Sequence, residues 1–242
     1  MNSEDPLSQY DFQAGATLLV DKPKGWTSFD VVNKLRYKIK HRLGIKKIKV
    51  GHAGTLDPMA TGLLIICTGK FTKKLADFQV FSKEYTGEIT LGATTPSFDA
   101  ETEIDQTYPT GHIDNELVEY TRKTFLGDLE QYPPMFSAIK VDGQPLYKKA
   151  RQGIVVEVKP RPVTIYDFEV TNVEVPKLHF RIKCSKGTYI RSIAYDFGKA
   201  VQSGGYLTEL TRTKIGKYHL ENAWNLEDLV EKLENVTDNL ET

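Results

Sequence analysis

Asp57 lies in Gly51-His-Ala-Gly-Thr-Leu-Asp-Pro58, the most turn-rich stretch of the chain. A carboxylate at such a place can act as a nucleophile, a base or an ionic partner, provided its backbone is fixed and its surroundings are open. Pro58 supplies restraint, because it has no amide hydrogen and limits the conformation of the residue before it. Glycines at 51, 54 and 62 allow another molecule to come close to the main chain. The apolar run Gly62-Leu-Leu-Ile-Ile-Cys67 predicts a buried strand that anchors the loop. An aspartate before proline more commonly bonds its own turn, and from these residues alone that role remains open beside the chemical one.

The elements around this loop alternate in type. Ala16–Gly25 reads as a short strand running into a Pro/Gly turn, after which Thr27 or Ser28 caps a helix carrying Phe29, Val32 and Leu35. Residues 51–62 read as an ordered loop and Leu63–Thr68 as a strand, followed by a helix over 70–80 and a strand over 83–92. A helix over 113–126 precedes Gln131-Tyr-Pro-Pro, where two prolines interrupt regular structure, and Val141-Asp-Gly-Gln reads as a hairpin turn. Strands are predicted over 154–158, 161–167, 169–175, 179–184 and 206–215, with helices over 188–201 and 226–233. Strands joined by short turns predict an α+β protein with a mixed, mainly antiparallel sheet flanked by helices.

The 242 residues are 40% hydrophobic, enough for a substantial core, and no apolar run approaches the roughly 20 residues that span a bilayer. The N-terminus is acidic and polar, unlike a secretory signal, so a cytoplasmic location with no membrane partner is expected. Cys67 and Cys184 sit in apolar strand contexts that predict core thiols rather than a disulfide, a metal site or a nucleophile. The 32 basic and 32 acidic residues cancel, but their placement is uneven. Lys34–Lys49 is rich in Lys and Arg without a single acid, whereas the stretch from Glu221 is acidic. The basic run fits a solvated helix face or a phosphate-binding surface equally well.

Gly51-His-Ala-Gly-Thr-Leu-Asp-Pro-Met-Ala-Thr-Gly-Leu-Leu64 resembles the catalytic motif of the TruB family of tRNA pseudouridine-55 synthases. Four other segments accompany it in the family's order: Asp21-Lys-Pro-Lys-Gly-Trp-Thr-Ser28, Lys83-Glu-Tyr-Thr86, Gly187-Thr-Tyr-Ile-Arg-Ser192 and Leu207-Thr-Glu-Leu-Thr-Arg212. The resemblance covers residues 16–220 and implies the pseudouridine synthase fold, with 1–15 as an N-terminal tail. The stretch 133–162 resembles the family's thumb-like insertion, expected to be disordered or displaced without RNA. Residues 221–242 are expected to form a short helix and an acidic tail, without the PUA-type domain into which bacterial members commonly continue. Ala53 stands where the motif commonly has threonine.

The implied reaction breaks the bond between ribose C1′ and uracil N1, turns the base and rejoins it through C5, with no cofactor and no metal. The resemblance makes Asp57 the catalytic carboxylate, with nucleophilic participation, and Arg191 its ionic partner. Tyr85 and Tyr189 would flank the target base, Tyr85 assisting removal of the C5 proton, and Leu210 would form an apolar wall. His52 would enter the RNA where the extruded base had been. Lys22 is left outside the catalytic set, in a motif that would brace the loop. The expected partner is the T stem-loop of tRNA and the expected state a monomer. A catalytically silent RNA-binding or RNA-folding module would use the same surfaces without chemistry. A nucleotide-binding enzyme fits less well, because Gly51-His-Ala-Gly has neither a P-loop nor a dinucleotide spacing.

Overall fold

The structure, a computed structural model, describes residues 7–137, 139–141, 143–154 and 156–234. In chain order the first elements are β1 (Thr17–Lys22), α1 (Ser28–Arg42), β2 (Val50–Ala53), β3 (Thr61–Thr68), α2 (Leu75–Gln79) and β4 (Lys83–Leu91). Next come β5 (Ala93–Thr94), β6 (Gln106–Thr107), α3 (Asn115–Thr124), β7 (Gly127–Gln131), β8 (Lys140–Val141), β9 (Gln144–Pro145) and α4 (Leu146–Arg151). The last are β10 (Arg161–Glu174), β11 (Lys177–Cys184), α5 (Ile190–Ala200), β12 (Gly205–Ile215), β13 (Tyr218–His219), β14 (Trp224–Asn225) and α6 (Leu226–Glu234). They divide into two compact units, Met1–Glu84 with Thr211–Thr242, and Tyr85–Leu210.

In the first unit the strand order is β14-β1-β3-β12. β1 runs antiparallel to β3, from Thr17 opposite Cys67 to Lys22 opposite Gly62. β12 lies parallel to β3 at Thr211–Thr61 and Arg212–Gly62, while β2 pairs antiparallel with β3, His52 opposite Ile66. β3 is buried on both faces. Leu64 and Ile66 join Val31, Val32, Leu35 and Ile39 of α1 and Leu229 and Leu233 of α6, whereas Leu63, Ile65 and Cys67 join Phe78 and Ile215. Two-sided burial accounts for a continuous apolar run in place of alternation. Cys67 on β3 and Cys184 on β11 of the second unit are both buried free thiols.

Helix α1 begins where the sequence predicts, but presents a different face. Thr27 caps it, accepting from the Asp30 amide while the Asp30 carboxylate accepts from the Thr27 amide. The buried positions are 28, 31, 32, 35 and 39, which leaves Phe29 61% exposed and not on the core face with Val32 and Leu35. Residues 51–53, expected within the 51–62 loop, belong to β2 instead, because the far edge of β3 offers its backbone groups to that segment.

The second unit carries strands in the order β12-β4-β11-β10-β7. The two strands expected over 161–175 are one strand, β10, whose register with β11 shifts between Ile165 and Asp167 and again between Val170 and Asn172. Such bulges bend a strand without ending it. No strand forms at 154 or over 156–158, and Val155 lies outside the described residues. The stretch from Pro133 to Pro162 carries the β8–β9 hairpin and α4. Phe125, Phe168, Phe180 and Phe197 pack edge to face or tilted around α3 and α5. Replacing Leu35 with alanine should cost about 2–5 kcal/mol in urea unfolding, and Phe29→Ala less than about 0.5 kcal/mol. Equal losses would contradict the assigned face.

Candidate active site

The Asp57 loop joins β2 to β3, and its main chain is held on both sides of the aspartate by side chains distant in sequence. Before Asp57, the Ser28 hydroxyl accepts from the Leu56 amide at 2.9 Å and donates to the Leu56 carbonyl at 3.2 Å. After it, the Pro58 carbonyl accepts from the Gly25 amide at 2.8 Å and from Lys22 Nζ at 3.3 Å. Arg212 spans the outer ends, its Nε donating to the Leu63 carbonyl at 2.8 Å and Nη2 to the Gly54 carbonyl at 3.2 Å. Gly62, at φ +102°, passes so close to Arg212 that a Cβ there would stand 2.5 Å from the Arg212 carbonyl oxygen. A side chain at this position would displace the strand on which the loop depends.

Lys22 and Arg212 are both buried, at 0% and 1% exposure, and their charges shape the local field. Lys22 Nζ also donates to the carbonyls of Trp26 at 2.6 Å and Pro23 at 3.0 Å. Burial lowers its pKa to about 8, the charge of Asp57 opposes that shift and the charge of Arg212 adds to it. His52, half-buried on β2, is held below its ordinary pKa by burial and then by Arg212, so it is uncharged at neutral pH.

In the second unit Arg191 sits in the first turn of α5 at 2% exposure, not on the helix surface. Its Nη1 donates to the Ser97 carbonyl at 3.1 Å and Nη2 to the Phe136 carbonyl at 3.0 Å, with Nε 3.4 Å from Asp99 Oδ2. Asp99 is fully buried, and its Oδ1 accepts from the Ser97 hydroxyl at 2.6 Å and the Glu101 amide at 3.0 Å. Phe98, in a left-handed conformation at φ 64°, stacks on Tyr195 at 4.0 Å and so fixes the turn that supplies Ser97 and Asp99. Tyr189 caps α5 half-buried, its ring 6.0 Å from the Arg191 guanidinium carbon. Tyr85 on β4 and Leu210 on β12 are each 8% exposed.

Of the residues singled out in the sequence, Asp57 and His52 belong to the first unit and Tyr85, Tyr189, Arg191 and Leu210 to the second. Within the second, Arg191 and Tyr189 are brought together. Sequence reasoning missed Ser28, Asp99 and Arg212. Ser28 is expected there only as a possible helix cap, Arg212 stands inside a motif without a role of its own, and Asp99 lies outside every motif singled out. Lys22 takes the bracing position expected for its motif.

Solved structures with the same arrangement of elements include a Cbf5–Nop10–Gar1 complex, with a TM-score of 0.68 at 27% identity. The alignment takes in 96% of this chain and 58% of that one, so the chain spans little more than half the length of its structural relative. An archaeal box H/ACA Nop10–Cbf5 complex, at 24% identity and a TM-score of 0.68, shares the fold. This is the pseudouridine synthase fold. Residues 40–190 match the N-terminal domain of the TruB family pseudouridylate synthases, and the chain belongs to that family. A tRNA pseudouridine synthase B of Flavobacterium johnsoniae is 56% identical over 94% of this chain and the whole of that protein. Another, from Phocaeicola vulgatus, is 54% identical over 93% of this chain and 95% of its own length.

The depressed pKa of Lys22 has a signed consequence for stability. Between about pH 8, its folded value, and its ordinary value of 10.5, the unfolded chain binds more protons than the folded one. Stability from this residue therefore rises with pH across that window, whereas at neutral pH its burial is a cost. In urea unfolding from pH 7.5 to 9.5, the protein should gain about 2 kcal/mol relative to Lys22→Met. Parallel curves would show that Lys22 titrates normally.

Proposed function

We propose that this protein isomerises uridine to pseudouridine in tRNA, at position 55 in the T loop, through the carboxylate of Asp57. The observation that carries this reading is the loop itself, in which residues 54, 56, 58 and 63 are bonded by Arg212, Ser28, Gly25 and Lys22 while the aspartate stands between them. A fixed backbone places the carboxylate before substrate arrives, which is how an enzyme avoids the cost of orienting it later. Relatives more than half identical over nearly the whole chain carry the name tRNA pseudouridine synthase B and support the same substrate class.

In the proposed reaction Asp57 acts as the nucleophile while the C1′–N1 bond breaks. The freed uracil turns and bonds to C1′ through C5, the bond to the Asp57 carboxylate breaks, the proton on C5 leaves to a base with Tyr85 assisting, and N1 takes up a proton in its place. Electrons and atoms balance without a redox partner or a transferred group, so no cofactor or metal is called for. Arg191 serves as the counter-ion that keeps Asp57 ionised, a role supported by its burial and by the Ser97 and Phe136 carbonyls and the Asp99 carboxylate that fix its guanidinium. Tyr189 offers a ring to the extruded base, Leu210 an apolar wall, and the neutral His52 enters the RNA in place of the base.

The basic run of α1 and the segment after it contacts backbone phosphates, and the insertion over 133–162 closes on the stem-loop. A monomer in the cytoplasm fits this role; among the described residues no helix is long and apolar enough to cross a membrane. Asp57→Asn should abolish pseudouridine formation on a T stem-loop transcript, by at least about 10³-fold, with RNA affinity within about threefold of the parent. Turnover near normal would remove Asp57 from the chemistry. Loss of binding together with activity would make it a binding residue instead.

A further inference from the structure

Tyr189 is held by two residues that bracket the 133–162 insertion, one just before it and one at its end. Gln131, the last residue of β7 and only 2% exposed, makes both possible bonds with the Tyr189 main chain. Its Oε1 accepts from the Tyr189 amide at 2.7 Å and its Nε2 donates to the Tyr189 carbonyl at 3.0 Å, a side-chain substitute for one rung of a sheet. Arg161, the first residue of β10, faces Gln131 across the ladder. Its guanidinium carbon lies 4.4 Å from the centre of the Tyr189 ring, and its Nη2 donates to the carbonyl of Gly187. The neighbouring turns of chain are joined as well, Ser192 Oγ donating to the Tyr132 carbonyl at 2.8 Å and Arg191 Nη2 to that of Phe136 at 3.0 Å.

We propose that Arg161 and Gln131 are positioning residues for Tyr189, coupling the insertion that grips RNA to the ring that receives the base. This rests on the reading of Tyr189 as a base-flanking residue. Gln131 fixes the main chain of Tyr189, and Arg161 fixes the ring by placing its guanidinium over the ring face, a contact that a broad, weakly hydrated guanidinium makes better than a compact ammonium. Arg161 Nε is buried without an acceptor among the described residues, so the Tyr189 ring and the Gly187 carbonyl determine where the group rests. Movement of either end of the insertion then displaces Tyr189.

The alternative for a cation at this place is a simple phosphate contact, and the two roles separate in kinetics. Arg161→Ala and Arg161→Lys should both slow the single-turnover rate at saturating T stem-loop transcript by roughly tenfold, because lysine restores charge but not the guanidinium's contact with the ring. The dissociation constant should stay within about threefold, and the slope of log affinity against log salt should not change. Gln131→Glu, nearly isosteric, should slow the same step, since a carboxylate faces the Tyr189 carbonyl where an amide had donated. Tyr189→Leu should be slow too, and adding Arg161→Ala to it should cost little more.

A normal saturating rate in the Arg161 variants with a salt slope smaller by about one would make Arg161 a phosphate contact and overturn the proposal. So would full activity in Arg161→Lys, or independent losses in the double variant. If Arg161→Ala does not fold, Arg161→Lys and Gln131→Glu decide the matter. Should Tyr189→Leu itself turn over normally, the reading of Tyr189 fails and takes this inference with it, whereas a slow Tyr189→Leu beside normal Arg161 and Gln131 variants sinks the inference alone.

Discussion

The loop bearing Asp57 exposes peptide carbonyls in a place where water is largely displaced, and those carbonyls must find donors. Lys22 and Arg212 supply them. Each is a buried cation that would be costly alone, and each is tolerated because it donates to carbonyl oxygens, Lys22 lying also in the field of the Asp57 carboxylate. Loop and cations therefore require one another: without the loop the charges are uncompensated, and without the charges the loop loses its bonds. Ser28 adds an uncharged clip at Leu56. The strand order of the first unit follows from the same need, since β1 must end at Lys22 and β12 must pass Gly62 for these side chains to arrive.

The second unit solves a related problem with Arg191. Its guanidinium is surrounded by two carbonyls and the Asp99 carboxylate, and the Asp99 turn is itself held by the left-handed Phe98 stacked on Tyr195. Tyr189, two residues earlier, is held by Gln131 and Arg161. In both units the residues proposed to meet RNA are mounted on main chain whose polar groups are already bonded. This is the arrangement expected of a site that works by preorganisation rather than by folding around its substrate.

Local signals in the sequence predicted much of this. The Thr27 cap, the strand through Leu64 and the helix bearing Arg191 depend on neighbouring residues and form close to where they are predicted, whereas the Asp57 loop is shorter than 51–62 because β2 and β3 take its ends. The orientation of α1 was less legible, because Phe29 and Val32 share a helical spacing with Leu35 while the packing partner decides which positions are buried. β10 reads as two strands in sequence because a bulge interrupts its pattern without interrupting its ladder. Ser28, Asp99 and Arg212 could not be assigned from spacing at all, since Leu56, Arg191 and Leu63, the residues they meet, are far from them in the chain. The only signal was that Ser28 and Arg212 stood inside motifs.

The claim on which the rest depends is that the Asp57 loop is fixed before RNA binds. Amide hydrogen exchange at Leu56 and Gly25 measures this directly, because their hydrogens are bonded to Ser28 Oγ and to the Pro58 carbonyl. In the RNA-free protein both should exchange as slowly as the amides of β3, opening only with the unit as a whole. Exchange at the rate of an exposed loop, slowing only when tRNA is added, would contradict the account and make the substrate the agent that orders the site.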